Sequence, residues 1–323
     1  PILEAEAGYY LGEAHQRLYE ISLLEGKARG GEREKAMSLW LQTARDHAGT
    51  EWGRRSHRRY IENRLEDWGR TEGLSRLDEF LSFYRESDDG WWALAQKGRI
   101  LYEEASDGAG WAADSALSVL GGVWSGDAPR EDKLEAILRM GYLYRLRGSH
   151  GEAAGAFRRF VSTAQGDPRS AAVWYDLGET LIAMKDYGEA LKAFRSCERS
   201  GPSRSMAARC ALRTGDALYY LQDFEEAARA YGSFPRRFPE SGLADEAAYR
   251  EAMVLERTGA FERSDSILAA LEKKEDLPRQ LRVRLLPRLA SRMKASGRTE
   301  EARRLLEQLV SLERKHGHLT LYG

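Results

Sequence analysis

One spacing restricts this 323-residue chain more than any other feature of it. Gly141, Gly178 and Gly215 recur at intervals of 37 residues, and Ala252 occupies the next step. A fixed period of this size marks a repeat architecture, in which each unit is a single supersecondary element that buries its apolar face only against its neighbours.

The chemistry around these positions repeats with them. In the best-formed unit, residues 171 to 204, Trp174, Leu177, Gly178 and Leu181 are followed by Ala190 and Phe194 and then by Pro202. One step earlier stand Ile137, Met140, Gly141, Tyr144, Ala153, Phe157 and Pro168. One step later stand Thr214, Gly215, Leu218, Ala227, Tyr231 and Pro239. The spacing predicts two helices and a stop: the small residue lets one helix approach its partner, the Ala and the aromatic seal the pair, and the proline ends the second helix.

The W-x2-LG run, the A-x3-F run and the closing proline resemble the tetratricopeptide repeat family. The resemblance implies an all-α fold, a right-handed α-solenoid of antiparallel helical hairpins. It covers residues 134–310 as a regular array of about five repeats. The later units are carried by Tyr249, Leu255, Phe261 and Leu268, and then by Leu286, Leu289, Ala290, Met293, Ala302, Leu306 and Leu309.

Residues 1–122 read as less regular hairpins. Leu3, Ala7, Tyr10, Leu11, Ala14, Leu18, Ile21 and Leu24 keep helical spacing and are expected to face inward. Ala36, Leu39, Trp40 and Ala44 give the second helix its inner face. Further helices are expected at 51–67, 72–86, 90–105 and 111–122. Leu94, Gly98 and Leu101 look like another first helix, but Asp114 stands where an aromatic is expected. The glycines, Asp127 and Pro129 of the run from Gly121 to Arg130 mark the expected joint with the regular array, set at 123–133, and residues 311–323 form the C-terminal tail. Pro1 in place of an initiator Met implies a processed product.

Composition narrows the function. The net charge of −1 lacks the basic excess of a dedicated nucleic-acid binder. Two clusters, Arg54/Arg55/Arg58/Arg59 and Arg279/Arg282/Arg284/Arg288/Arg292, read first as solvated helix faces or docking surfaces. No apolar run approaches the roughly 20 residues of a spanning helix. Trp52, Trp68, Trp91, Trp92, Trp111 and Trp124 all fall in the irregular half, and adjacent Trp91 and Trp92 must point to different sides of their helix.

Catalytic signatures are lacking: there is no phosphate-binding GxxxxGK[ST], no HExxH and no GxSxG. The chain is therefore expected to be non-enzymatic, with no cofactor and no metal. Gly108-Ala109-Gly110 reads as a helix-hairpin turn, because no strand precedes it. His316 and His318 are too few for a metal site. Cys197 and Cys210 are read as buried free thiols, with a disulfide as the alternative.

By resemblance to the family, the first helices line a concave groove. The residues flanking the small position then bind partner segments: Leu138, Tyr142, Arg145, Tyr175, Glu179, Arg209, Leu212, Asp216, Tyr219, Tyr249, Arg250 and Met253. Their Tyr, Arg and Met content suits a protein partner, a peptide or helix in the groove. The Lys and Asn clamp that holds a terminal carboxylate in chaperone-binding members is replaced by Leu138 and Tyr142, Tyr175 and Glu179, and Leu212 and Asp216. The run from Phe234 to Tyr249 resembles the linking segment of bacterial envelope members, the outer-membrane assembly lipoproteins and Tol-Pal coordinators. The reading is a scaffold of a periplasmic or cell-envelope, motility or secretion assembly. The alternatives are the superhelical non-catalytic part of a larger enzyme, such as a lytic transglycosylase, and a cytoplasmic regulator.

Overall fold

The 37-residue period appears in the backbone as a repeated helix ending. The structure, a computed structural model, describes residues 2–26 and 30–316. Among these, there are sixteen α-helices and no strand. Gly148, Lys185, Gln222, Gly259 and Gly297 all have φ between 61° and 81°. The amide that follows each one reaches back five residues: Ser149 to Tyr144, Asp186 to Leu181, Asp223 to Leu218, Ala260 to Leu255 and Arg298 to Met293, at 2.8–3.0 Å. This left-handed cap satisfies carbonyls that the helix leaves open and turns the chain into the next helix. Asp186 and Asp223 then cap that next helix, accepting from the amides of Glu189 and Glu226 at 3.3 Å. Glycine is unnecessary at every such turn, because the cap bonds offset the roughly 1–2 kcal/mol that a side chain costs in this conformation.

The chain divides into two compact units, Pro1–Thr163 and Ala164–Gly323. The first holds α1 (Ile2–Leu24), α2 (Gly30–Asp46), α3 (Glu51–Arg64), α4 (Arg70–Tyr84), α5 (Asp88–Ser106), α6 (Gly110–Ser125), α7 (Arg130–Leu146) and α8 (His150–Thr163). The 123–133 segment is helical up to Ser125 and again from Arg130, and α6 packs on α7. Trp92 is buried in a cluster with Ile61, Leu77 and Phe80, while Trp91 lies over Gly126 between α6 and α7. The hairpin of α5 and α6 is sealed by Leu120, whose Cδ2 would stand 2.5 Å from a Cβ placed on Gly98; Asp114 points outward and pairs with Arg147. Gly108, at φ +98°, makes the turn between these helices.

The inner face of α1 is a correction. Leu3, Tyr10, Leu11, Leu18, Ile21 and Leu24 are each at least half exposed. The buried residues of α1 are Ala5, Gly12 and Ser22. The cause is Trp40 of α2, fully buried, whose indole occupies the space where a side chain on Gly12 would stand and donates Nε1–H to the Tyr9 carbonyl at 3.2 Å. A helix that accepts so large a ring must present small residues, so apolar spacing on α1 marks its outer side.

The second unit holds α9 (Ser170–Ala183), α10 (Tyr187–Arg199), α11 (Arg204–Tyr220), α12 (Phe224–Arg237), α13 (Ala244–Arg257), α14 (Phe261–Glu272), α15 (Arg279–Ala295) and α16 (Thr299–His316). Consecutive helices pack as antiparallel hairpins. A Cβ on Gly178 would meet Phe194 at 2.4 Å, and one on Gly215 would meet Tyr231 at 2.4 Å; in the first unit Gly141 stands in the same relation to Phe157, at 2.6 Å. The rings are fully or almost fully buried. In the last hairpin Leu305, not Leu306, turns inward, and α16 extends beyond residue 310, the expected start of the tail. Cys197 and Cys210 are joined in a buried disulfide between α10 and α11, with Cα atoms 6.3 Å apart, which corrects the reading as free thiols. The close packing of one hairpin on the next brings the two sulfurs together.

Candidate protein-binding groove

The first helices of the second unit, α9, α11, α13 and α15, are tied to one another by ion pairs. Arg213 on α11 bonds Glu179 on α9 at 2.6 Å and Asp216 on its own helix at 3.0 Å. Asp216 receives both Arg250 of α13 and the hydroxyl of Tyr231 of α12, the latter at 2.5 Å. Arg250 also bonds Glu246 at 2.8 Å, and Glu246 is held by Arg284 of α15. Arg288 on α15 reaches back to Glu256 of α13 at 2.6 Å. The result is a ladder of alternating charge across four helices.

Burial makes this ladder expensive to disturb. Asp216 is one of the few charged side chains that are nearly inaccessible, and a buried carboxylate is tolerated only when paired and hydrogen-bonded. Burial pushes the Tyr231 hydroxyl well above the usual phenol range, and the Asp216 carboxylate pushes it further, so it stays protonated and donating. For Glu246, burial acts to raise the pKa, but hydrogen bonds from Arg284 and Arg250 outweigh it and hold the carboxyl below its usual range. Arg213 and Arg250 lose from burial and gain more from their carboxylates, and are held above the ordinary guanidinium value.

Beside the ladder is a cavity of about 220 Å³, lined by Arg213, Asp216, Tyr219, Tyr220, Glu246, Arg250, Met253 and Arg284 among others. Tyr219 stacks edge-on against Phe224 at 5.7 Å, which fixes its ring at the cavity wall. Four of the expected groove residues, Asp216, Tyr219, Arg250 and Met253, meet here. Glu179 joins through Arg213. Arg209 lies over the ring of Tyr175 at 4.3 Å.

Other expected positions lie elsewhere. Leu212 and Tyr249 belong to the core: Leu212 packs with Tyr231 and Phe234, and Tyr249 packs with Leu285 and Leu289 while its hydroxyl donates to the Arg284 carbonyl at 3.3 Å. Leu138, in the first unit, is also buried. There Tyr142 packs on Phe157 at 5.4 Å with Arg145 over its ring at 5.2 Å. Arg213, Tyr231 and Glu246 were not anticipated. For Tyr231 the signal was present at the 37-residue step, where Phe157 and Phe194 give way to a tyrosine.

Apart from Arg279 and Arg282, the arginines of the two clusters are engaged by carboxylates. Arg54 and Arg58 share Asp89, Arg59 pairs with Glu13 and Glu62, and Arg55 pairs with Glu51. Arg292 bonds Asp265, and Arg282 donates to carbonyls before its helix. His316 closes α16, and His318 lies outside the described residues. No helix among the described residues is long and apolar enough to cross a membrane.

The family model described as tetratricopeptide repeat matches residues 138–205 and 212–278. These stretches are similar to tetratricopeptide repeats. Part of the chain is similar to solved structures: MamA from residue 41 to its end, from Desulfovibrio magneticus RS-1, is 19% identical with a TM-score of 0.47, over 58% of this chain and 98% of that one. MamA of AMB-1 is 20% identical with a TM-score of 0.41, over 55% and 94%. YrrB, described as a tetratricopeptide protein with an unusual peptide-binding site, is 15% identical with a TM-score of 0.42, over 56% and 87%. No curated protein matches the chain. Within the matched stretches α9, α11 and α13 each open a helical pair, and the cavity is lined from α11, α12, α13 and α15.

Proposed function

We propose that this protein is a non-enzymatic scaffold that holds a segment of a protein partner against the first-helix face of its second unit. One observation carries the reading: the cavity at Tyr219 and Met253, whose apolar wall is set beside a fixed row of guanidiniums. Tyr, Met and Arg are the side chains that supply most of the energy at protein interfaces, because each brings a large contact area for few rotatable bonds or a planar set of donors. An ion-pair ladder adds rigidity, so little order has to be gained on binding.

The compartment we propose is the bacterial cell envelope, within an assembly, secretion or motility apparatus. The disulfide supports an oxidising compartment, since such bonds persist outside the reducing cytosol. The linking segment from Phe234 to Tyr249 supports the same reading.

The test is a pair of substitutions. Tyr219→Ala with Met253→Ala is expected to reduce capture of the partner from the native host at least tenfold while helicity and melting temperature stay near those of the parent. Undiminished capture would remove the groove from the account.

A further inference from the structure

The ladder is neutral in sum but not in depth. In each inter-helix pair of the first-helix face the carboxylate is the more buried partner: 10% against 25% for Asp216 and Arg250, 17% against 48% for Glu246 and Arg284, and 18% against 31% for Glu256 and Arg288. For Arg213 the partners are 33% exposed against 26% for Glu179. The acids form the floor and the guanidiniums form the surface. An approaching partner therefore meets cations first, with the counter-charges behind them in a region of lower polarity.

Each guanidinium has five N–H donors in a planar fork and no acceptor. Arg288 spends one Nη on Glu256 and leaves a third of its side chain at the surface. Arg284 spends both Nη groups on Glu246 and is almost half exposed. Such a fork can take a second carboxylate without releasing the first, since charge-assisted bidentate bonds need only two donors each. Between Arg250 and Tyr219 the cavity also offers Met253 to an apolar side chain.

From this geometry we infer that the segment bound on the first-helix face is an acidic extended peptide, with Asp or Glu side chains on the outer donors of Arg213, Arg250, Arg284 and Arg288 and an apolar residue against Tyr219 and Met253. The inference rests on the groove reading above and adds the chemistry of the partner. A nucleic acid fits less well: the carboxylates beneath the row cancel most of its field at the distance of a phosphate backbone, and phosphate binding depends on uncompensated charge.

The test uses the full chain and four fluorescent probes: three twelve-residue peptides with Phe at every third position and Glu, Gln or Lys between, and a twelve-nucleotide thymidine strand. In low salt the Glu peptide is expected to bind at least tenfold more tightly than the Gln peptide, with the gap closing as salt rises. Arg284→Glu with Arg288→Glu should erase the gap. Arg263→Glu, on the exposed surface of α14, should leave it. Should the reversed pair fail to fold by circular dichroism, Arg288→Gln alone is expected to lower the preference severalfold.

Equal or tighter binding of the Gln or Lys peptide, still lost in Tyr219→Ala, would overturn the acidic preference and keep the groove. Tighter binding of the thymidine strand would overturn the preference for a peptide. Binding indifferent to Tyr219→Ala, or no binding of any probe at millimolar concentration, would overturn both readings.

Discussion

Tyr231 shows how one atom separates two repeats that otherwise pack alike. Phe157, Phe194 and Tyr231 occupy the same place in successive units, each under a glycine of the facing helix. Only Tyr231 carries a hydroxyl, and that hydroxyl anchors Asp216, which in turn fixes Arg250. Tyr231→Phe keeps the ring but leaves a buried carboxylate short of one donor. Hydrogen bonds to charged groups are worth about 1.5–3 kcal/mol, and a loss of that size on chemical denaturation is expected, whereas Phe194→Tyr would give no matching gain. A change below about 0.5 kcal/mol would mean that Asp216 is satisfied without Tyr231.

At the scale of helices, α1 and α11 mark the two limits of what periodicity reveals. Along α11 the apolar spacing and the small residue agree, and the packing follows the sequence pattern. On α1 the oily stripe faces outward, because Trp40 demands a face of glycine and alanine. Leu18→Ser is accordingly expected to cost under about 0.5 kcal/mol, within the range of ordinary surface changes. Trp40→Ala should cost about 3–5 kcal/mol, as for other large core rings. Equal costs would return the stripe to the interior. The repeat length, the hairpins and the sealing rings were legible because each depends on residues close in sequence. The ladder was not, since Glu246 and Arg284, or Asp216 and Arg250, meet only once first helices lie side by side. The disulfide was hidden for a related reason: a thirteen-residue separation permits contact, and only the angle between α10 and α11 brings the sulfurs together. Leu212 and Tyr249, expected in the groove by analogy with the family, pack in the core, because a step of one residue along a helix turns a side chain by about 100° from one face to the next.

For the molecule as a whole, a net charge of −1 conceals a division of labour. Within the first unit the arginines of α3 are shared among Asp89, Glu62, Glu13 and Glu51, so that cluster ties helices together. In the second unit similar pairs tie the helices and also turn guanidiniums outward beside the cavity that Tyr219 and Met253 line. That face is the central claim, and the most direct measurement is site-specific photo-crosslinking in the native host. A benzophenone amino acid replaces Tyr219 or Met253 on the first-helix face, or Arg229 or Arg263 on the surface of α12 and α14. Discrete adducts from Tyr219 and Met253, with none from Arg229 and Arg263, are the expected result. Adducts from Arg229 and Arg263 alone would contradict the account and move the partner to the other side of the repeats.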